Sequence, residues 1–66
     1  MPRKIRQLIK DLEKSGFEFV PGKGSHRKFV HPKAVVIVIS GQLGDDAHRY
    51  QERAVSEAIQ KAKHET

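Results

Sequence analysis

Four histidines stand at positions 26, 31, 48 and 64, and histidine is the side-chain type that exchanges protons most readily near neutral pH. Three of them sit in ordinary settings: His31 beside Pro32, His48 in the first turn of a second helix and His64 in its last turn, each reading as a surface residue. His26 differs, because it follows Gly22-Lys23-Gly24-Ser25 and is flanked by Lys23, Arg27 and Lys28. Glycines let a backbone approach a ligand closely and turn N–H groups outward, an arrangement suited to phosphate. On a strand, residues i and i+2 share a face, so His26 and Lys28 project together while Arg27 points away with Phe29. A proton acceptor beside a cation is what cleavage of a phosphodiester by its neighbouring 2′-OH requires. Spacing alone leaves three roles open for His26: catalytic base, phosphate ligand or exposed side chain.

Other constellations are weaker. Ser25 and His26 are strand neighbours facing opposite sides, with no acidic residue placed to orient the imidazole, so they do not form a hydrolytic dyad. Asp45, Asp46 and His48 have metal-ligand chemistry, but two carboxylates at a helix start read first as caps. The Gly22-Lys23-Gly24 loop is too short for a nucleotide-binding Walker motif and lacks its Gly-Lys-Ser/Thr ending. Cysteine is absent, which excludes thiol catalysis, cysteine zinc sites and disulfides. No cofactor and no metal is expected.

The elements that must position His26 follow from hydrophobic spacing. Ile5, Leu8, Ile9 and Leu12 form one stripe of a helix over about residues 2–15, closed by Gly16, and Arg3, Arg6, Lys10 and Lys14 gather on a separate face that suits a phosphate backbone. Phe17-Glu18-Phe19-Val20 reads as a strand ending at Pro21-Gly22. A second strand starts near Ser25 and stops at His31-Pro32, Lys33-Ala34 turns the chain, and Val35 to Ile39 is the third. Connections this short make an antiparallel meander. Asp45 or Asp46 then caps a helix over about residues 46–63, whose apolar set is Ala47, Tyr50, Ala54, Val55, Ala58, Ile59 and Ala62, interrupted by Gln51. Both helices bury their stripes if they cover one face of the three-stranded sheet, the α+β arrangement of the double-stranded-RNA-binding-like fold. Val35, Ile37 and Ile39 then face the helices, and Val36 and Val38 face away.

Sixty-six residues, 36% apolar, suffice for a single domain over 1–66 and little more. The net charge is +5, with a pI near 9.9. Residues 1–16 contribute five basic and two acidic side chains, residues 17–40 four and one, and residues 41–66 four and five, so the first forty hold the whole excess. Charge polarised in this way suits a polyanion, with nucleic acid ahead of an acidic protein. The longest apolar run, Val35 to Ile39, is far below the ~20 residues of a membrane helix. With no signal-like segment at the N-terminus, a cytoplasmic location is expected.

The segment Gly22-Lys23-Gly24-Ser25-His26-Arg27-Lys28-Phe29, the helix ending at Gly16-Phe17 and the α-β-β-β-α order together resemble the HicA family of bacterial toxin–antitoxin systems, small messenger-RNA-cleaving toxins. The resemblance implies a metal-independent endoribonuclease with His26 as the single catalytic histidine and a HicB-type antitoxin protein as its neutralising partner. Contacts to RNA would then come from Lys23, Gly24, Ser25, Arg27 and Lys28, extended by Arg6 and Lys10 on the first helix. After the third strand the chain reads Ser40-Gly41-Gln42-Leu43-Gly44-Asp45-Asp46, where many members carry Pro-x-His followed by a Lys-Gly-Thr-Leu helix start. Two non-catalytic functions compete with this one. A double-stranded RNA reader would need cations at the start of the second helix, where Asp45 and Asp46 stand. A pure protein-interaction module would use the uncovered Val36 and Val38.

Overall fold

The computed structural model describes residues 3–22, 24 and 26–64; Lys23, Ser25 and the side chain of His64, all invoked above, lie outside them, as does the expected helix start at residue 2. The order is α1 (Ile5–Lys14), β1 (Glu18–Pro21), β2 (Arg27–His31), β3 (Val35–Ile39) and α2 (Arg49–His64). The strands form one antiparallel sheet in the order β1-β2-β3. Phe29 pairs with Phe19 on one side and Ile37 on the other, which fixes the register of all three strands.

One sheet face carries Phe29, Val35 and Ile39, all buried beneath Ile5, Leu8 and Leu12 of α1 and Val55, Ala58 and Ala62 of α2. The expected alternation along β3 is present: Val36 and Val38 are more than half exposed on the opposite face. This is the small α+β, double-stranded-RNA-binding-like arrangement. No helix among the described residues is long and apolar enough to cross a membrane.

Two chain reversals are set by local chemistry. At the end of α1, Gly16 adopts φ +94, its N–H donates to the Glu13 carbonyl (3.1 Å) and the Phe17 N–H donates to the Leu12 carbonyl (3.0 Å). This paired bonding needs a left-handed residue, which glycine supplies without a Cβ penalty, and it sets Phe17 against Leu12 in the core. Between β2 and β3, Ala34 donates its N–H to the His31 carbonyl (2.9 Å) and takes φ 65, closing a three-residue hairpin at a position that favours glycine. His31 is not the plain surface residue expected from its proline neighbour. It is half-buried, with its ring 5.0 Å from that of Phe17 and its Nδ1 accepting the Lys33 N–H at 3.1 Å, and so it helps lock the turn.

Both helices start later than their stripes suggest. Arg3 and Lys4 are extended, Lys4 bridges to Asp46, and the Ala47 N–H donates to the Arg3 carbonyl at 2.7 Å, so α1 begins only at Ile5. Neither Asp45 nor Asp46 caps α2, contrary to the sequence reading. Asp46 pairs with Lys4 Nζ at 2.6 Å, Asp45 Oδ2 accepts the Gln42 N–H at 3.1 Å, and the chain becomes helical only at Arg49. The cap is His48, whose carbonyl accepts from the Gln51 and Glu52 N–H groups while its own N–H donates to Gln51 Oε1 at 2.8 Å. Gln51 does not interrupt the buried stripe. It belongs to it, at 5% exposed, with Val55, Ala58 and Ala62, whereas Tyr50, expected inside, is 65% exposed.

Candidate functional site

β1 runs toward one end of the sheet, β2 runs away from it and β3 returns, so the β1–β2 loop, Ser40 and Gly41 meet at that end. His26 immediately precedes β2 and is exposed. Lys28, two residues on, is also exposed and stands in register with Val20 and Val38 on the face away from the helices. In an extended chain, residues two apart share a face. Arg27 alternates to the helix side, as expected, where its Nη1 donates to the Gly41 carbonyl at 2.6 Å. This bond ties the residue after His26 to the loop that follows β3.

The glycines before His26 have different duties. A Cβ on Gly22 would lie 2.8 Å from the backbone oxygen of His26, closer than side chains tolerate, so glycine here lets the hairpin close on itself. Gly24 has φ +63 with open space around it, leaving its backbone accessible at the loop tip. Lys23 and Ser25, expected to contact RNA, lie outside the described residues.

The same end of the molecule holds the starts of both helices. The Ile5 and Arg6 N–H groups, which have no partner inside α1, donate to the carbonyls of Asp45 (2.9 Å) and Leu43 (3.1 Å). Arg6 is thereby fixed beside the 41–46 loop, with Lys10 one turn further along α1; both are exposed. Arg3, grouped with them by spacing, forms an ion pair with Asp11 instead. From α2, Gln51 Nε2 donates to the Ser40 carbonyl at 3.0 Å, fastening the helix to the end of β3. Among the described residues no three His, Asp or Glu side chains converge as a metal site.

Chemically, this end offers an exposed imidazole, an exposed ammonium two residues further on and more cations on α1. The sequence expectation that His26 and Lys28 act together rests on their two-residue spacing, and both are exposed. The sequence did not reveal the Gly22 contact, the Arg27 bond or the Gln51 clamp, since each depends on a partner brought near by folding. Only the glycine-rich spacing hinted that the backbone would pass close to something.

The family described as "HicA toxin of bacterial toxin-antitoxin" matches residues 5–63, nearly the whole chain. No curated protein matches it.

Proposed function

Because the chain belongs to the HicA toxin family of bacterial toxin–antitoxin systems, we propose that it is the toxin of such a pair and acts as an endoribonuclease on messenger RNA, with His26 as its catalytic base. The supporting observation is the exposure of His26 and Lys28 at the loop end of the β1–β2 hairpin, where Gly22 lets the backbone close tightly and the Arg27 bond to Gly41 holds the strand.

The imidazole of His26 accepts the proton of a ribose 2′-OH, the 2′-oxygen forms a bond to the adjacent phosphorus, and the bond from phosphorus to the 5′-oxygen breaks. The departing oxygen takes a proton from solvent water, leaving a 2′,3′-cyclic phosphate and a 5′-hydroxyl. Lys28 stabilises charge on the phosphorane, while Gly24 offers backbone N–H to phosphate. Lys23 and Ser25 extend this loop contact, Arg6 and Lys10 hold the RNA backbone further along, and Arg27 positions the loop. The nucleophile belongs to the substrate, so the reaction draws on no metal ion. The natural inhibitor is a HicB-type antitoxin whose acidic rim covers the His26 end and excludes RNA, its approach steered by charge and slowed by salt.

Cleavage of an end-labelled RNA by the wild-type protein and by His26→Ala tests the reading. The variant should lose roughly 10²–10⁴-fold in rate, the usual contribution of a general base, and keep its melting temperature because the side chain is exposed. Wild-type activity should persist in EDTA and vanish on RNA carrying a 2′-deoxy nucleotide at the scissile position. A folded His26→Ala protein that still cleaves, or a deoxy substrate that is cut, overturns it.

A further inference from the structure

β3 is an edge strand. It pairs with β2 on one side, and among the described residues no strand lies on its other side. An edge normally carries a charge, a proline or a bulge that discourages pairing with other chains. This one is Val35-Val36-Ile37-Val38-Ile39, five β-branched apolar residues in unbroken ladder register, with Val36 53% and Val38 55% exposed. Beside it runs an open groove between the edge and α2, floored by Val35 and Ile37 and walled by Ala54, Glu57 and Lys61. Helical spacing continues that wall upward to Tyr50, because residues 50, 54, 57 and 61 follow one stripe of α2. Tyr50, one turn before Ala54, is 65% exposed, with its ring stacked 5.7 Å from that of His48.

We propose that this edge is a self-association surface, on which a second copy of the chain adds its own β3 in antiparallel register about a two-fold axis at Ile37. That register sets Val36 opposite Val38 of the second copy, and Val35 opposite Ile39, so each row pairs apolar with apolar and keeps each side chain on its proper face. No charge lies on the strand to oppose its own copy. α2 spans β3 from Ser40, bonded to Gln51, toward the groove end that Lys33 and Lys61 both line, and so it passes the same axis near its middle. The two-fold therefore turns the α2 stripes antiparallel, bringing Tyr50 toward Lys61 of the second copy and Ala54 toward Glu57. An ammonium meets an aromatic ring, and a carboxylate meets a small side chain. A second copy suits the edge better than an arbitrary strand because one two-fold axis satisfies the strand and the helix stripe together. The result is a continuous six-stranded sheet whose two His26 loops lie toward opposite ends.

A pairing of one five-residue strand and one helix stripe stands at the small end of specific interfaces, near ~1,000 Å² in total, and is expected to be reversible in the micromolar range. Sedimentation of the full chain from ~1 to ~500 μM should show a monomer shifting to a dimer. Val36→Lys, at an exposed site, should hold the protein monomeric with an unchanged circular dichroism spectrum. The chain has no cysteine, so Ile37→Cys provides a direct report. Its disulfide dimer under mild oxidation should form at least about ten-fold faster than that of Leu43→Cys, an exposed control away from the edge. A protein monomeric throughout, or equal rates for the two cysteine variants, overturns the proposal. So does protection of the β3 amides that arises only in complex with a different protein, which would assign the edge to that partner.

Discussion

Replacing Gln51 with methionine keeps the length and most of the volume of the side chain while deleting both of its hydrogen bonds, to the His48 N–H and the Ser40 carbonyl. Each bond contributes about 1 kcal/mol net. The partly buried Ser40 carbonyl, left without its donor, adds up to about 1 kcal/mol more. The expected loss is therefore about 2–3 kcal/mol, against a total of roughly 3–10 kcal/mol for a chain of this length. Urea unfolding followed by circular dichroism measures it. With a slope near ~1 kcal/mol per molar urea for so small a domain, the midpoint should fall by ~2–3 M at unchanged slope. Gln60→Met, on the exposed side of the same helix, should change stability by no more than ~0.5 kcal/mol. A Gln51→Met protein as stable as the control would refute the idea that this side chain fastens α2 to the sheet.

Gly22→Ala should slow RNA cleavage by about 10–100-fold, because the new Cβ, 2.8 Å from the His26 carbonyl, must displace the loop that carries the imidazole. Its stability should fall by only ~1–2 kcal/mol, and a mutant with normal turnover would mean the loop accommodates the methyl group. Lys28→Glu should lower kcat/KM and flatten its logarithmic dependence on salt by about one unit, the signature of one lost phosphate contact; an unchanged slope would remove Lys28 from the RNA path. Ala34→Gly should stabilise the protein by about 0.5–1 kcal/mol, raising Tm by a few degrees, since φ 65 costs alanine more than glycine. A lower Tm in a thermal melt would count against strain at that turn.

Legibility in the sequence followed the range of the interaction. β3 was readable to the residue because an apolar run bounded by turn formers is a local signal, and the end of α1 was readable because Gly16 acts within its own turn. The start of α2 was misread for the opposite reason. Asp45 and Asp46 are good caps by type, but Lys4, 42 positions earlier, engages Asp46. Gln51 looked like a polar intrusion because its two partners are backbone atoms, which leave no mark in composition. Taking Tyr50 as buried in place of Gln51 rotated the helix by one position, and that rotation hid the stripe that overlooks β3. At the candidate site, the two-residue spacing of His26 and Lys28 is a local signal, whereas the Arg27 bond to Gly41 spans fourteen positions and required the fold.

The first turn of α1 takes its hydrogen-bond acceptors from residues 43 and 45, and this has a consequence in time. Ribosomes deliver chains from the N-terminus at roughly 5–20 residues per second, and an isolated helix of ten residues is marginal in water. Until the 41–46 loop and then α2 emerge, α1 lacks both its cap and the helix it packs against. A growing chain thus carries the basic face of α1 and the His26 hairpin for seconds before either is held in shape. The helix made before α2 is thus completed only along with it.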